Sequence, residues 1–373
     1  MRYRSFLRKN IGRGIRLFVK TFPNLFKGKK VLMSDEVAIS FLNSIYPDIK
    51  SSCWTSNQTT TQPQYDLHII TSAYNVEKYI NQCVDSILNQ KTEYTYFLTI
   101  VNDGSTDSTQ ELLHQYESRP NIEIINQSNK GYSGARNTAL NNIKGKYLMF
   151  VDSDDFLSPD AIQTLLHKAF TENADIVQGS FNNVDEEGRI IDSVILRDYA
   201  SHVPDETDIR SQPWGKVFQA SLFKNICFTK GYWYEDTITK FIIVPNSNLK
   251  ISLSQVVYNY RHHSGTTISQ NKNPLKEIDA LYVTNRVLQD YLRFYRIDDY
   301  IYNHFLHQGK FIYDRMLHVP DEKIRISVFL ALCDIYHRYF GYGNYKVSRL
   351  PIIKKSLEER DYKLYCIGCK LYT

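Results

Sequence analysis

Nothing in this 373-residue chain approaches 18 consecutive apolar residues, which argues against a membrane-spanning helix. The first 30 residues contain no acidic side chain. They also lack the apolar core and small-residue cleavage site of a signal peptide. Cysteine is sparse: six residues without regular spacing point to reduced thiols and a cytosolic protein. Cys366 and Cys369 form a lone Cys-x-x-Cys with no second pair, so neither a zinc site nor a redox centre is expected there. There is no internal repeat, and no motif for reading nucleic acid accompanies the basic charge.

What is present is unevenly distributed. The net charge of +5 arises from ten Lys/Arg within residues 1–30, while the other 343 residues carry a net of −5. Leu7, Ile11, Ile15, Phe18, Phe22 and Phe26 recur in that arm at steps of three or four, the period of one helix face. A basic helix with such a face suits an anionic membrane surface, where each Lys or Arg contributes roughly 1 kcal/mol. Docking of the arm on its own catalytic domain is the alternative, and Gly12 and Gly14 weaken an isolated helix. The expected location is the cytoplasm, peripheral at the inner face of the plasma membrane.

Residues 35–46 read as a short helix stopped by Pro47, and 50–64 as a polar linker. Strands are expected at 67–72, 95–101, 122–125, 147–151 and 175–180, with helices at 76–88, 108–117, 133–143 and 158–172 between them. Ser108 with Glu111 has capping-box spacing, and Ser158-Pro159 reads as a helix start. This alternation predicts an α/β domain built on a largely parallel sheet. From Pro274 the pattern is helical and rich in Tyr and Leu. The predicted divisions are 1–64, a basic extension and linker; 65–180 and 181–270, two halves of the α/β domain; and 271–373, a helical region.

The most informative residues close two strand-like runs. Tyr94–Val101 leads into Asn102-Asp103-Gly104-Ser105-Thr106-Asp107, and Tyr147–Val151 into Asp152-Ser153-Asp154-Asp155. In an open parallel sheet, ligands bind beyond the carboxyl ends of the strands. Carboxylates delivered there from neighbouring strands suit a divalent cation carrying a diphosphate. Asp152 and Asp154 are one residue apart, so in extended backbone they point the same way. Gly131 and Gly134 permit close backbone approach to a ligand, and the planar fork of Arg136 can pair with the Asp cluster or with phosphate.

Tyr65–Gln90, with Thr71-Ser72-Ala73-Tyr74-Asn75 and Glu77, resembles the opening of family 2 glycosyltransferases of the GT-A fold. Asn102–Asp107, Asn129-Lys130-Gly131-Tyr132-Ser133-Gly134-Ala135-Arg136-Asn137 and Asp152–Asp155 continue the resemblance in order. It is close over 65–180, looser over 210–270, weak after 271 and absent over 1–64.

The resemblance implies a Rossmann-like GT-A domain and an inverting, metal-dependent transfer from a nucleotide-diphosphate sugar, most simply a UDP-sugar with Mn²⁺ or Mg²⁺. Donor contacts are then expected from Tyr74, Glu77, Asp103, Lys130, Arg136, Asp152, Ser153 and Arg261. Metal contacts are expected from Asp154 and, in place of a more usual basic residue, His263; Thr266 takes a position that is commonly Ser. Asp236 stands at the general base, with Glu235 the runner-up. Trp214, Trp233 and Glu235 fall in acceptor-side segments, where Trp214, Tyr232, Trp233 and Tyr234 form either a sugar platform or core. The acceptor would be a glycan or lipid-linked glycan, as in capsule or surface-polysaccharide synthesis, with no nucleic-acid partner. A nucleotidyltransferase of related fold and a non-catalytic sugar-nucleotide-binding protein are the alternatives.

Overall fold

The computed structural model describes residues 33–56, 58, 62–203, 209–264, 273–347 and 350–372. The basic arm and Thr266 lie outside the described residues. The chain divides into two compact units, one holding 51–231 and 235–271, the other 1–50, 232–234 and 272–373.

The first unit is built on a ten-stranded sheet. Its first half alternates strand and helix: β1 Tyr65–Ala73, α2 Ile80–Leu88, β2 Tyr96–Asn102, α3 Thr109–Leu113, β3 Ile122–Asn126, α4 Gly131–Leu140 and β4 Gly145–Asp152. Helix α1, Asp35–Ile45, precedes them and belongs to the second unit. There follow β5 Phe156–Leu157, α5 Ala161–Glu172, β6 Ile176–Val184, β7 Ile190–Val194, β8 Tyr199–Ser201, β9 Lys216–Gln219 and the long β10, Lys250–Arg261. The spatial order is β3-β2-β1-β4-β9-β6-β10-β5, with β7 beside β6 and β8 beside β10. Strands β1 to β4 pair in parallel, as do β6 and β10, whereas β9 runs antiparallel to both its neighbours.

Strand β1 pairs on both edges and is buried from Leu67 to Thr71, as its uninterrupted apolar run requires. Its packing partners include Ile80, Val84 and Ile87 of α2, which recur at helical spacing on one face. Strand β6 crosses the expected division at 180/181, so the two halves share one sheet. Two helix starts also differ from expectation. Ser108 makes no side-chain cap, and its own amide is taken by Glu77 Oε2 at 2.9 Å. Helix α5 begins at Ala161 behind Asp160, past Ser158-Pro159.

The second unit contains α1, α6 Asp279–Tyr291, α7 Asp299–Met316, α8 Glu322–Tyr339, α9 Pro351–Glu359 and α10 Tyr362–Leu371. Ser34, Asp298, Asp321 and Asp361 cap four of these by accepting from first-turn amides. The helix expected at 35–46, within the 1–64 extension, is α1 and is grouped with these helices: Asp35 pairs with Arg360 at 2.6 Å and Ala38 and Leu42 are buried. Cys369 is core and burial pushes the Cys366 thiol up, so the Cys-x-x-Cys is a packing feature of α10. No helix among the described residues is long and apolar enough to cross a membrane.

Candidate active site

The carboxyl ends of β2 and β4 flank β1, since Ala73 pairs with Asn102 on one side and Ser72 with Asp152 on the other. Asp103 and Asp152 are therefore delivered to the same end of the sheet, two strand spacings or roughly 10 Å apart. They are next-nearest neighbours, with β1 between them.

Two loops beside Asp103 are fastened to each other. The amides of Asn75, Val76 and Glu77 donate to Ser105 Oγ, Thr109 Oγ1 and Asp107 Oδ2 at 3.0, 2.9 and 3.1 Å. Asn75 Oδ1 accepts from Thr106 N at 2.8 Å, and the Glu77 carboxylate from Ser108 N. Glu77 thus holds the loop, while Tyr74 presents a ring that is 49% exposed. Gly104 has φ +75°, and a Cβ there would lie 2.9 Å from Asn129 N, so the turn after Asp103 excludes other residues. Asp103 is buried, and Oδ1 accepts both from Gln127 Nε2 at 2.6 Å and from Lys130 N at 2.9 Å. It thereby fixes the start of α4. Gly134, one turn on, is required because a Cβ would meet Lys130 Cβ at 2.4 Å. The hydroxyls of Ser72 and Ser133 are buried here with no partner.

Arg136 projects from α4 into a buried bridge. Its Nη2 lies 2.8 Å from Asp152 Oδ1 and its Nη1 2.5 Å from Glu235 Oε1, with Phe228 and Tyr132 at 5.3 and 5.8 Å. Burial raises the Asp152 carboxyl against the pull of Arg136. Burial also lifts Glu235 to about 7, opposed by Arg136 and reinforced by Asp236.

Asp154 and Asp155 diverge. Asp154 Oδ2 meets His263 Nε2 at 2.9 Å. Asp155 turns into the core, accepting from Tyr258 Oη at 2.8 Å and from Arg261 N at 2.7 Å. Ser153, just before them in the chain, is buried. Tyr258 Oη also accepts from Asp152 N at 3.1 Å, so one hydroxyl pins both ends of the acidic segment.

Arg261, expected to bind phosphate, is buried and engaged. Its Nε donates to Asp154 O at 2.7 Å, Nη1 to Glu186 O at 2.6 Å, and Nη2 to Gln82 Oε1 at 2.5 Å. That geometry makes it a brace behind Asp154. Trp214 is likewise core, not platform: it stacks on Tyr258 at 4.7 Å and Tyr260 at 5.2 Å and meets Phe181 edge-on. Trp233 and Tyr232 are buried in the other unit, and Tyr234 donates to Glu277, so this aromatic run offers no free platform among the described residues.

Glu235 is buried, whereas Asp236 is partly exposed and takes a hydrogen bond from Ser211. The backbone carbonyls of both accept from the following turn, which runs into a π turn over Thr239–Ile243. Burial raises Asp236 as well, with Arg136 and Lys216 opposing. Lys216, buried and donating to Arg210 O at 2.7 Å, was not anticipated as part of this surrounding. Tyr79, Gln127, Glu186 and Tyr258 were also missed, since each acts through partners far away in the chain or across the fold that no local pattern announces.

The family model for Glycosyl transferase family 2 matches residues 68–228. The chain carries a family 2 glycosyltransferase domain. Glycosyltransferase GlyA of Streptococcus pneumoniae is 35% identical over 214 residues, covering 53% of this chain and 31% of GlyA. Chondroitin synthase of Escherichia coli is 41% identical over 126 residues, 33% of this chain and 18% of that protein. This chain therefore spans less than a third of either relative. Residues 1–349 of TarS of S. aureus, solved in complex with UDP-GlcNAc, share the fold with a TM-score of 0.64 at 19% identity, over 82% of this chain and 91% of that one. The fold is GT-A, with helices following the sheet. Glu235, Asp236, Arg261 and His263 all lie beyond the segment that the family model matches.

Proposed function

We propose that this protein transfers a sugar from a nucleotide-diphosphate donor to a hydroxyl of a glycan or lipid-linked acceptor, with inversion, in the synthesis of a surface polysaccharide. The observation that carries the reading is the delivery of Asp103 and Asp152–Asp154 to one end of β1. Relatives named for polysaccharide synthesis, and a fold neighbour holding UDP-GlcNAc, support it and favour a UDP-sugar donor.

Asp103 has both its bonds on Oδ1, which leaves Oδ2 for the nucleoside. Tyr74 offers a ring face to the base, with Lys130 and Ser153 on the diphosphate side. Among the described residues no cluster of three or more His, Cys, Asp or Glu side chains is arranged for a metal. Asp154 and His263 supply one oxygen and one nitrogen, a partial set that diphosphate oxygens would complete. A nitrogen donor suits Mn²⁺ better than Mg²⁺. Such a cation would neutralise charge on the departing diphosphate.

Asp236 takes the acceptor proton as that oxygen bonds to the anomeric carbon and the bond to the diphosphate breaks. Glu235 is tied to Arg136 and buried, which leaves Asp236 as the available base. A nucleotidyltransferase is not favoured, because Thr71-Ser72-Ala73-Tyr74-Asn75 contains neither glycine nor a basic residue, and the amides of Asn75, Val76 and Glu77 are spent on the 105–109 loop. The basic arm would hold the enzyme at an anionic cytoplasmic membrane face, and flotation with anionic liposomes should be lost on removing residues 1–30.

The decisive experiment is a nucleotide-sugar panel scored for metal-dependent transfer or hydrolysis. Asp154→Ala should abolish metal-dependent nucleotide binding. Failure of every donor, with Asp154→Ala binding nucleotide as the parent does, would overturn the reading.

A further inference from the structure

Behind the Asp154–His263 pair sits a residue that neither the motifs nor the proposed chemistry uses. Tyr79, immediately before α2, is 9% exposed, and its ring centroid lies 4.7 Å from that of His263 at a 49° tilt. The Arg261 guanidinium approaches the same ring at 5.0 Å. Its hydroxyl donates to Glu186 Oε1 at 2.9 Å, in the turn between β6 and β7, where Lys78 Nζ also approaches at 3.6 Å. Arg261 grips the backbone carbonyls of that turn and of Asp154.

We propose that Tyr79 is a positioning residue for the Asp154–His263 pair, and that its bond to Glu186 makes the turn at 185–188 part of the cation-binding architecture. The inference rests on the assignment of Asp154 and His263 above and adds what holds them. The His263 imidazole lies two residues past the end of β10, and such a side chain can rotate about two bonds unless packing holds it. Packing against a ring that is itself tethered at its hydroxyl removes much of that freedom. Groups that orient a metal-binding His are typically worth 10- to 100-fold in metal affinity.

The test is Mn²⁺ binding to the full-length protein with and without UDP, followed by electron paramagnetic resonance of the free ion. Tyr79→Leu should weaken Mn²⁺ binding in the presence of UDP by about tenfold. Tyr79→Phe, which keeps the ring, and Glu186→Ala, at an exposed side chain, should each weaken it about two- to threefold and should not add in the double variant. In a His263→Ala background, Tyr79→Leu should have no further effect. The surface change at Glu186 keeps the idea testable if Tyr79→Leu fails to fold. Parental affinity in both Glu186→Ala and Tyr79→Phe overturns the proposal, as does full additivity of Tyr79→Leu with His263→Ala. If Asp154→Ala itself binds Mn²⁺ and UDP as the parent does, the underlying assignment fails instead.

Discussion

Arg136 Nη1 lies 2.5 Å from Glu235 Oε1, and this one ion pair sets Glu235 apart from the acid that follows it. Glu235 is held against α4 inside the protein, leaving Asp236 beside it partly exposed. Asp236→Asn should keep donor binding and lower turnover by about 100- to 10,000-fold, the usual worth of general base catalysis. Isothermal titration with donor and a steady-state assay separate the two effects; normal turnover would remove Asp236 from the mechanism.

The same pair has a pH signature. Burial lifts the Glu235 carboxyl from 4.5 to about 7, so the folded chain keeps a proton that the unfolded chain has already released. The folded state then binds more protons across that window, and its stability falls as pH rises from about 4.5 to about 7. Asp152 and Asp236 shift in the same direction and add to the slope. Urea unfolding at pH 5 and pH 8 should give a smaller loss for Glu235→Gln than for the parent. An identical loss would place the titration elsewhere.

Tyr258 accepts from Asp152 N and donates to Asp155, so its hydroxyl supports the acidic segment from inside. Tyr258→Phe leaves two buried groups unpaired and should cost about 1–3 kcal/mol for each. Chemical denaturation measures this. Donor affinity should fall as well, because the segment carrying Asp152 and Asp154 loses its anchor.

Gly104→Ala places a side chain at φ +75° and 2.9 Å from a backbone nitrogen. The expected loss is upwards of 1 kcal/mol in stability. Binding of UDP should weaken in parallel, because the turn sets Asp103; a variant as stable as the parent would show that the 129 segment can give way.

Much of this site was legible in the sequence because apolar runs ending in acids at β2 and β4 announce both strand and ligand end at once. The Asp155 side chain accepts from the Arg261 amide, a partner that no local pattern announces. Arg261 reads in sequence as a phosphate contact and Trp214 as platform or core, and the structure buries both among partners. An Arg or Trp in a motif looks like a ligand contact, and only tertiary packing reveals that its donors or faces are already taken. The antiparallel strands β7 to β9 were not anticipated, since β9 has four residues and β8 three, too few for a period to register. Helix α1 is legible at 35–46, but its partnership with residues more than 300 positions away has no local signature.

Residues 232–234 belong with the helices, where Trp233 N donates to Asp279 Oδ2 at 2.8 Å, yet the next two residues are Glu235 and Asp236. A shortened protein ending at residue 271 would retain all ten strands and still lose the mooring just upstream of the proposed proton acceptor. Such a fragment should fold and hold nucleotide while transferring sugar poorly, so the helical tail is tied covalently to turnover although the sheet alone carries the family's sequence signature.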